Sequence, residues 1–527
     1  MKRYPSIFNE TLAPVTIGPS SSNTCAPARI ARTCRNIFGE KPVKFRVEMS
    51  ENGVYKTTYK GLRSDLSFLT GVMGRDSLHP RFDHAYEDAR EAGIAIEHCF
   101  LDELPRLPAE YARLVFTAKD GREMVFSTAS TGGGTFYVDA VDSCKVDIQG
   151  YDYELLLFTP FLSDQESDAI ISKAKAICPG VNSISYEKGP RHAIVEIKSG
   201  AAIPEELVKK LAELTGVFTA RTVEPEYPVV LSALRAPPFT NSADMLAYQK
   251  KTGLSLFGLA LEYEKSMSGW SEEKVLAYAD KLWDICEAAI DSGFKEGNDM
   301  NGIVPCRAIN VKEGFESGRL LPLGMLTQGV PSALAVIEHS NCSGAVVCIP
   351  TGGSCGVVPG SISAAAKALG KDKDEMVKAL MVAGLLGTFM SETKFFGALG
   401  CQAEIGCATG MAAAALVFLM DGDAKQAADA ASMGIQSLLG LVCDSIGGMV
   451  QVPCLLRNMT AVSTAATCAN AAMAGLDAVI PLEEMVGAVL RVGNLFQETN
   501  CNSLGLNCTD TSRRLIREHD AISCHTE

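Results

Sequence analysis

No long basic tract runs through this sequence. Its formal net charge is −14 and its pI about 5.2. A polyanionic partner such as nucleic acid is therefore not expected. The opening stretch, MKRYPSIFNETLAP, carries no apolar core of a signal peptide. The most apolar segments, such as Met381 to Met390, are short or broken by glycine and proline, and no membrane span is expected. Cysteine, by contrast, is plentiful. Eighteen cysteines in a chain without an export signal predict a reducing, cytoplasmic setting, with free thiols or metal ligands rather than disulfides. A length of 527 residues predicts two or three domains and a sizeable core.

The densest chemical signal lies between Gly400 and Asn458. It begins GCQAEIGCATGMAAAA and ends LVCDSIGGMVQVPCLLRN. Cys401, Cys443 and Cys454 stand in it beside a Gly447-Gly448 pair and Pro453. Glycine lets backbone approach a bulky inorganic group closely, and proline stiffens the approach. Three cysteines on such a scaffold could hold three irons of a four-iron cluster and leave the fourth open to substrate. The alternative is three small residues packed in a core.

The rest of the chain divides into three expected domains. Residues 1–148 read as α+β, with KFRVEMS and RLVFTAK as strands and EDAREAGIA as helix. Near their start, IGPSSSNTCAPARIARTCRNIF predicts a helix beginning near Pro27. Ser20, Ser21, Ser22, Asn23 and Thr24 would precede it, either as an anion-binding loop or as an ordinary N-cap. Residues 151–229 read as strand, helix, strand, strand, helix, strand, a ferredoxin-like βαββαβ order. That order is similar to an ACT domain, a module that often binds amino acids at paired interfaces. EYPVVLSALRAPP, from Glu226 to Pro238, reads as a linker. Residues 239–527 read as all-α, with helices over Thr240 to Glu264, Ser271 to Ser292, Asp372 to Met390, Ala424 to Leu441, Ser463 to Ala474 and Pro481 to Arg491. A glycine-rich loop interrupts them. Thr351, Gly352, Gly353, Ser354 and Gly356 precede a helix beginning near Pro359, a second candidate anion site without the lysine spacing of a P-loop. Cys355 in that loop is expected as a buried small residue.

Two of these segments, GCQAEIG and CDSIGGMVQVPCLLRN, resemble the iron–sulfur-dependent L-serine dehydratase family. That family carries G-C-Q-x-E-x-G and C-D-P-x-G-G-x-V-Q-x-P-C-x-x-R-N, and Ser445 stands here at the proline. Ile17 to Ser22 and Thr24 match the family's I-G-P-S-S-S-H-T, with Asn23 at the histidine. Val72 to Asp76 corresponds to G-H-G-T-D, again without its histidine. STASTGGGTFYV, containing Gly132, Gly133 and Gly134, resembles its glycine-rich stretch. Pro350, Thr351, Gly353, Gly356 and Pro359 match A-P-T-N-G-A-A-G-x-x-P-A, with Gly352 at the asparagine and Ser354 and Cys355 at two alanines. Toward the end, Glu498, Thr499, Leu504 and Asn507 match E-T-S-x-G-G-L-A-x-N, while Asn500, Asn502 and Ser503 depart from it.

The resemblance implies a [4Fe–4S] cluster on Cys401, Cys443 and Cys454. It implies a small amino-acid substrate whose carboxylate sits on the serine-rich loop and on Thr351, Gly352 and Gly353. It implies a lyase converting L-serine to pyruvate and ammonia, with the open iron polarising the β-hydroxyl. No residue is fixed as the base. Glu404 is a candidate, or a structural partner. Cys508 and Cys524 are the candidates to cap the open iron when substrate is absent, or are ordinary thiols. A homodimer is the expected assembly. Asn23 cannot titrate as histidine does. Two rivals therefore stand beside this reading: a related lyase for another hydroxy or thiol acid, and a non-catalytic cluster protein sensing amino acids.

Overall fold

The computed structural model describes residues 3–105, 110–177, 180–214, 216–232, 235–391, 399–499 and 505–523. They form two compact units. One comprises residues 22–236 with the first three residues, and the other residues 4–21 with 237–527.

The first unit holds two sheets. In the six-stranded sheet the order is Ala95–Leu101, Lys44–Ser50, Glu110–Thr117, Glu123–Gly132, Thr135–Val141 and Cys144–Ile148. The pair Lys44–Ser50 and Ala95–Leu101 is parallel, and the other pairs are antiparallel. Ile30, Cys34 and Phe38 of helix Ser21–Phe38 share a core with Phe45, Phe116 and Phe126 of this sheet. The helix starts six residues before Pro27, so Ser22, Asn23 and Thr24 lie in its first turns rather than in a preceding loop. EDAREAGIA divides between helix Ala85–Glu91 and the start of strand Ala95–Leu101.

The middle region has the expected element order. Its antiparallel four-stranded sheet runs Thr219–Val223, Tyr153–Thr159, Ala193–Ser199, Val181–Lys188. Leu155, Leu157, Val195 and Ile197 face Ile170 and Leu211 of its two helices. Leu156, Phe158 and Ile194, on the opposite face, join the core of the six-stranded sheet. Burial on both faces explains why YELLLFT reads as an unbroken apolar run. The described residues of the stretch expected as a linker have no regular structure, yet its first half is packed. Tyr227 and Val229 are buried, Tyr227 stacks on Tyr151, and Glu226 pairs with Arg32.

The second unit is helical, apart from one two-stranded ladder. Val15–Ile17 pairs antiparallel with Ala345–Val347, Thr16 opposite Val346. Thus a segment from the start of the chain completes a unit built mostly from its end. Ser6 caps the short π-helix Ile7–Thr11, and the buried Glu264 carboxylate accepts from the Ser6 hydroxyl (2.9 Å) and the Ile7 N–H (2.7 Å). Burial pushes the Glu264 carboxyl up to about 8. Gly18 then passes so near Ser340 that a Cβ would stand 2.1 Å from its hydroxyl oxygen. Only glycine fits there.

Helix Cys401–Leu419 is the hub of this unit. It packs against Val357–Leu369, Lys373–Met390, Ala424–Gln436 and Cys454–Met473. By length and composition it could cross a bilayer, contrary to the expectation that no segment could, but 89% of its apolar window is buried inside the protein. Other bounds differ from expectation for local reasons. Thr240 to Glu264 is two helices, Ser242–Thr252 and Leu256–Ser268. Gly253, with φ 71°, stops the first, and the Ser255 hydroxyl caps the second. Ala424 to Leu441 ends early, at Gln436. The helix expected from Ser463 starts at Cys454, and the one expected to stop at Arg491 runs on to Thr499.

Candidate active site

Cys401 and Cys454 are each the first residue of a helix, Cys401–Leu419 and Cys454–Met473. Free N–H groups and the helix dipole favour negative charge there. Cys443 lies in the irregular stretch before the 3-10 turn Ile446–Gly448. The fold brings the three together. The Cys443 thiol donates to Cys401, and Cys454 is near enough for its charge to act on Cys443 and to feel that of Cys401. That hydrogen bond, aided by Arg457, holds Cys401 below the usual thiol range despite burial. Donating it, with burial, pushes Cys443 well above that range. Burial, then the negative charges of Cys401 and Glu404, push Cys454 up too.

Among the described residues, no group of three or more His, Cys, Asp or Glu side chains is arranged to hold a single metal ion. In a four-iron cluster each cysteine binds a different iron, so its donors need not converge on one point. A set of soft thiols, Cys401 buried and Cys443 and Cys454 half-buried, two of them at helix starts and beside a guanidinium, has the chemistry that such a cluster requires.

Arg457 and Asn458 follow Cys454 by three and four positions, which places both on its face of the helix. Arg457 hydrogen-bonds Cys401, the Val442 carbonyl (2.8 Å) and Asp444 (3.1 Å). Asn458 ties the cysteines to the glycine-rich loop. Its amide donates to the Gly353 carbonyl (2.8 Å) and the Cys454 carbonyl (2.9 Å), and its oxygen accepts the Gly356 N–H (3.1 Å). Neither role was visible in the sequence, although both residues stand inside the C-x-x-R-N motif.

Glu404 lies between the two features. The Thr351 hydroxyl donates to its carboxylate, and a Cβ on Gly353 would stand 3.7 Å from one of its oxygens. Burial raises the Glu404 carboxyl, and Thr351 and Arg457 pull it part of the way back. The Gly352 N–H donates to the Ser21 hydroxyl (3.4 Å). A Cβ on Gly352 would sit 3.1 Å from the Ser21 nitrogen, so the loop and the residue 19–21 backbone are in close contact. Ser20, Ser21, Thr351, Gly352, Gly353, Glu404 and the three cysteines all belong to the second unit.

Ser22, Asn23 and Thr24 belong to the first unit. There the Asn23 amide donates to Glu110 (3.2 Å) and accepts from the Ser64 hydroxyl (2.9 Å), and the Thr24 carbonyl accepts from Ser67. Ser354 turns its hydroxyl back to the Ile349 carbonyl (2.9 Å). Cys355 is a core thiol, packed with Ala289 and Ala335 and pushed up to about 12 by burial. Near the end of the chain, Asn507 clasps the Cys443 loop by donating to the Ser445 carbonyl (2.8 Å) and accepting the Gly447 N–H (3.0 Å). Cys508 follows it, partly buried. Asn500, Asn502, Ser503, Leu504 and Cys524 lie outside the described residues.

A family model described as serine dehydratase alpha chain matches residues 251–503. A probable L-serine dehydratase alpha chain of Bacillus subtilis (strain 168) is 31% identical over 286 residues, 53% of this chain and 95% of its own length. The chain belongs to the serine dehydratase alpha-chain family. Two longer members are matched in part. L-serine dehydratase of Streptomyces coelicolor is 34% identical over 285 residues, 51% of this chain and 61% of that protein. L-serine dehydratase 1 of Escherichia coli (strain K12) is 32% identical over 282 residues, 51% of this chain and 62% of that protein. The family model takes in all three cysteines, Glu404, Arg457, Asn458 and the glycine-rich loop, so the candidate site lies within the matched region apart from Ser20 and Ser21.

Proposed function

We propose that this chain dehydrates and deaminates L-serine to pyruvate and ammonia with a [4Fe–4S] cluster on Cys401, Cys443 and Cys454. The observation that carries the reading is the meeting of these thiols, Arg457 and Glu404 with the Thr351-Gly352-Gly353 loop. The names of the relatives supply the substrate. Bound there, the cluster would provide a Lewis acid for the substrate's β-hydroxyl. The remaining work falls to the protein. Backbone N–H groups of the glycine-rich loop and the hydroxyls of Ser20 and Ser21 would hold the carboxylate. Arg457 would balance thiolate charge, and Asn458 would fix the loop relative to Cys454. Glu404, with its raised carboxyl, is the candidate to take the α-proton. The enamine released would tautomerise and hydrolyse outside the site. In this reading the middle region is an ACT-like module, through which a cytoplasmic homodimer would form.

The test is anaerobic purification, with iron and sulfide quantified and pyruvate release from L-serine followed in the same sample. About four irons per chain with pyruvate release is the expected result, and no iron would overturn the mechanism. One observation favours a second reading, a related lyase for another hydroxy or thiol acid. Asn23 replaces the family histidine, and its amide is engaged by Glu110 and Ser64. Iron without pyruvate, together with turnover of another acid in a substrate panel, would select that reading.

A further inference from the structure

Away from the three cysteines, the second unit contains another thiol pair. Cys306 and Cys342 lie sulfur to sulfur at 3.8 Å, both partly exposed. Cys306 precedes helix Ala308–Glu316, and Cys342 caps the end of helix Leu326–Asn341. Their approach is built in. Glu338, one turn before Cys342, accepts the backbone N–H groups of Arg307 (2.7 Å) and Ala308 (3.0 Å), which fixes the residue after Cys306 against the Cys342 helix. Both sides of the pair also reach the loop leading into Cys454. Ile303 donates its N–H to Gln451 (2.9 Å), and Asn341 donates its amide to the Val450 carbonyl (2.8 Å).

We propose that Cys306 and Cys342 form a reversible disulfide that staples the residue 299–306 segment to the end of helix Leu326–Asn341, beside the Cys454 loop. The co-reactant is a low-molecular-weight disulfide. One cysteine, as thiolate, attacks a sulfur of that disulfide, giving a mixed disulfide and releasing one small thiol. The second cysteine, on losing its proton, attacks the mixed disulfide, closes the internal bond and releases the second small thiol. The protein pair loses two electrons and two protons, and the reagent gains them. This assignment does not depend on the proposed activity.

The surroundings set the speed. Burial and the charges of Glu338 and Asp299 push Cys306 up to about 12 and raise Cys342. Arg307, the neighbouring cation, turns its guanidinium to the Cys306 carbonyl (3.3 Å). Few chains carry a thiolate at neutral pH, so closure is slow there and quickens about tenfold per pH unit toward alkaline pH.

The test uses the full chain, purified anaerobically and incubated with glutathione disulfide, then alkylated and digested without reduction. The expected product is a linked peptide pair carrying Cys306 and Cys342, with two thiols lost per chain and recovered on adding dithiothreitol. Iron content measured in parallel separates this from damage at Cys401, Cys443 and Cys454. Amide exchange at Ile303 and Val304 should slow by about tenfold in the linked form. Cys306→Ser and Cys342→Ser should each abolish the link. Separate alkylation or lone glutathione adducts at the two cysteines would overturn the proposal, as would unchanged exchange in the linked form.

Discussion

The two units bury carboxylates by different means. In the first, charge meets charge across strands. Lys198 reaches Asp147 (3.0 Å) and Glu196 (3.7 Å), and Glu154 lies opposite Lys198 in the ladder. Neither Glu154 oxygen has a donor, and burial, then the Glu196 carboxylate, raises its carboxyl well above the usual range. Burial and that neighbouring carboxylate favour the uncharged form of Glu154. In the second unit, Glu264 and Glu338 accept neutral N–H and O–H donors at the starts of elements. Arg457 is the exception, a cation among thiols. Charge pairing in the first unit serves the packing of two sheets. The second unit meets that need with backbone donors and places its guanidinium beside Cys401 and Cys454.

The largest expected effect tests that placement. Replacing Cys401, Cys443 or Cys454 by serine should abolish both iron binding and pyruvate formation, measured on one anaerobic sample. Next comes the cation of the first unit. Lys198→Met leaves buried carboxylates uncompensated and should destabilise by about 3–5 kcal/mol, read from the denaturant midpoint. Equal midpoints would mean that the charges are not coupled. Glu264 tests the neutral-donor solution through pH. Its folded value of about 8 lies above its ordinary 4.5, so the folded state holds the proton longer. Stability from this group is complete below about 4.5 and is lost as pH rises through about 8, at no more than about 1.4 kcal/mol per pH unit. Glu264→Gln should flatten that slope in melting curves taken across the range. Asn458→Ala should lower turnover by about 10–100-fold while leaving the three cysteines in place, so iron content separates it from the cysteine variants. Glu154→Gln should change stability at neutral pH by less than about 1 kcal/mol, because burial and the Glu196 carboxylate already favour the uncharged form of Glu154. A larger loss would mean that Glu154 is charged in the folded protein.

Much of the fold was legible where local signals and burial agree. The helices expected over Ser271 to Ser292 and Asp372 to Met390 form, with Ser271 and Asp372 as their caps, and the middle region's strands and helices follow the expected order. Helix Cys401–Leu419 is hidden in the sequence, because a helix apolar on every side shows no period. The Gly253 stop is masked in the sequence because apolar spacing continues across it. At the site, motif resemblance located the thiols and the glycine-rich loop. It could not assign Arg457 or Asn458, whose partners Val442, Gly353 and Gly356 are distant in sequence or carry no side-chain signal. Nor could any pattern show that residues 4–21 belong with the last half of the chain.

That last feature bears on the order of synthesis. Strand Val15–Ile17 leaves the ribosome more than three hundred residues ahead of its partner Ala345–Val347. While the residue 22–236 unit can close around its own sheets as it emerges, this strand must wait unpaired. The Ser21 contact with Gly352 must wait likewise, so the proposed carboxylate cradle cannot assemble until the whole residue 22–236 unit has been made.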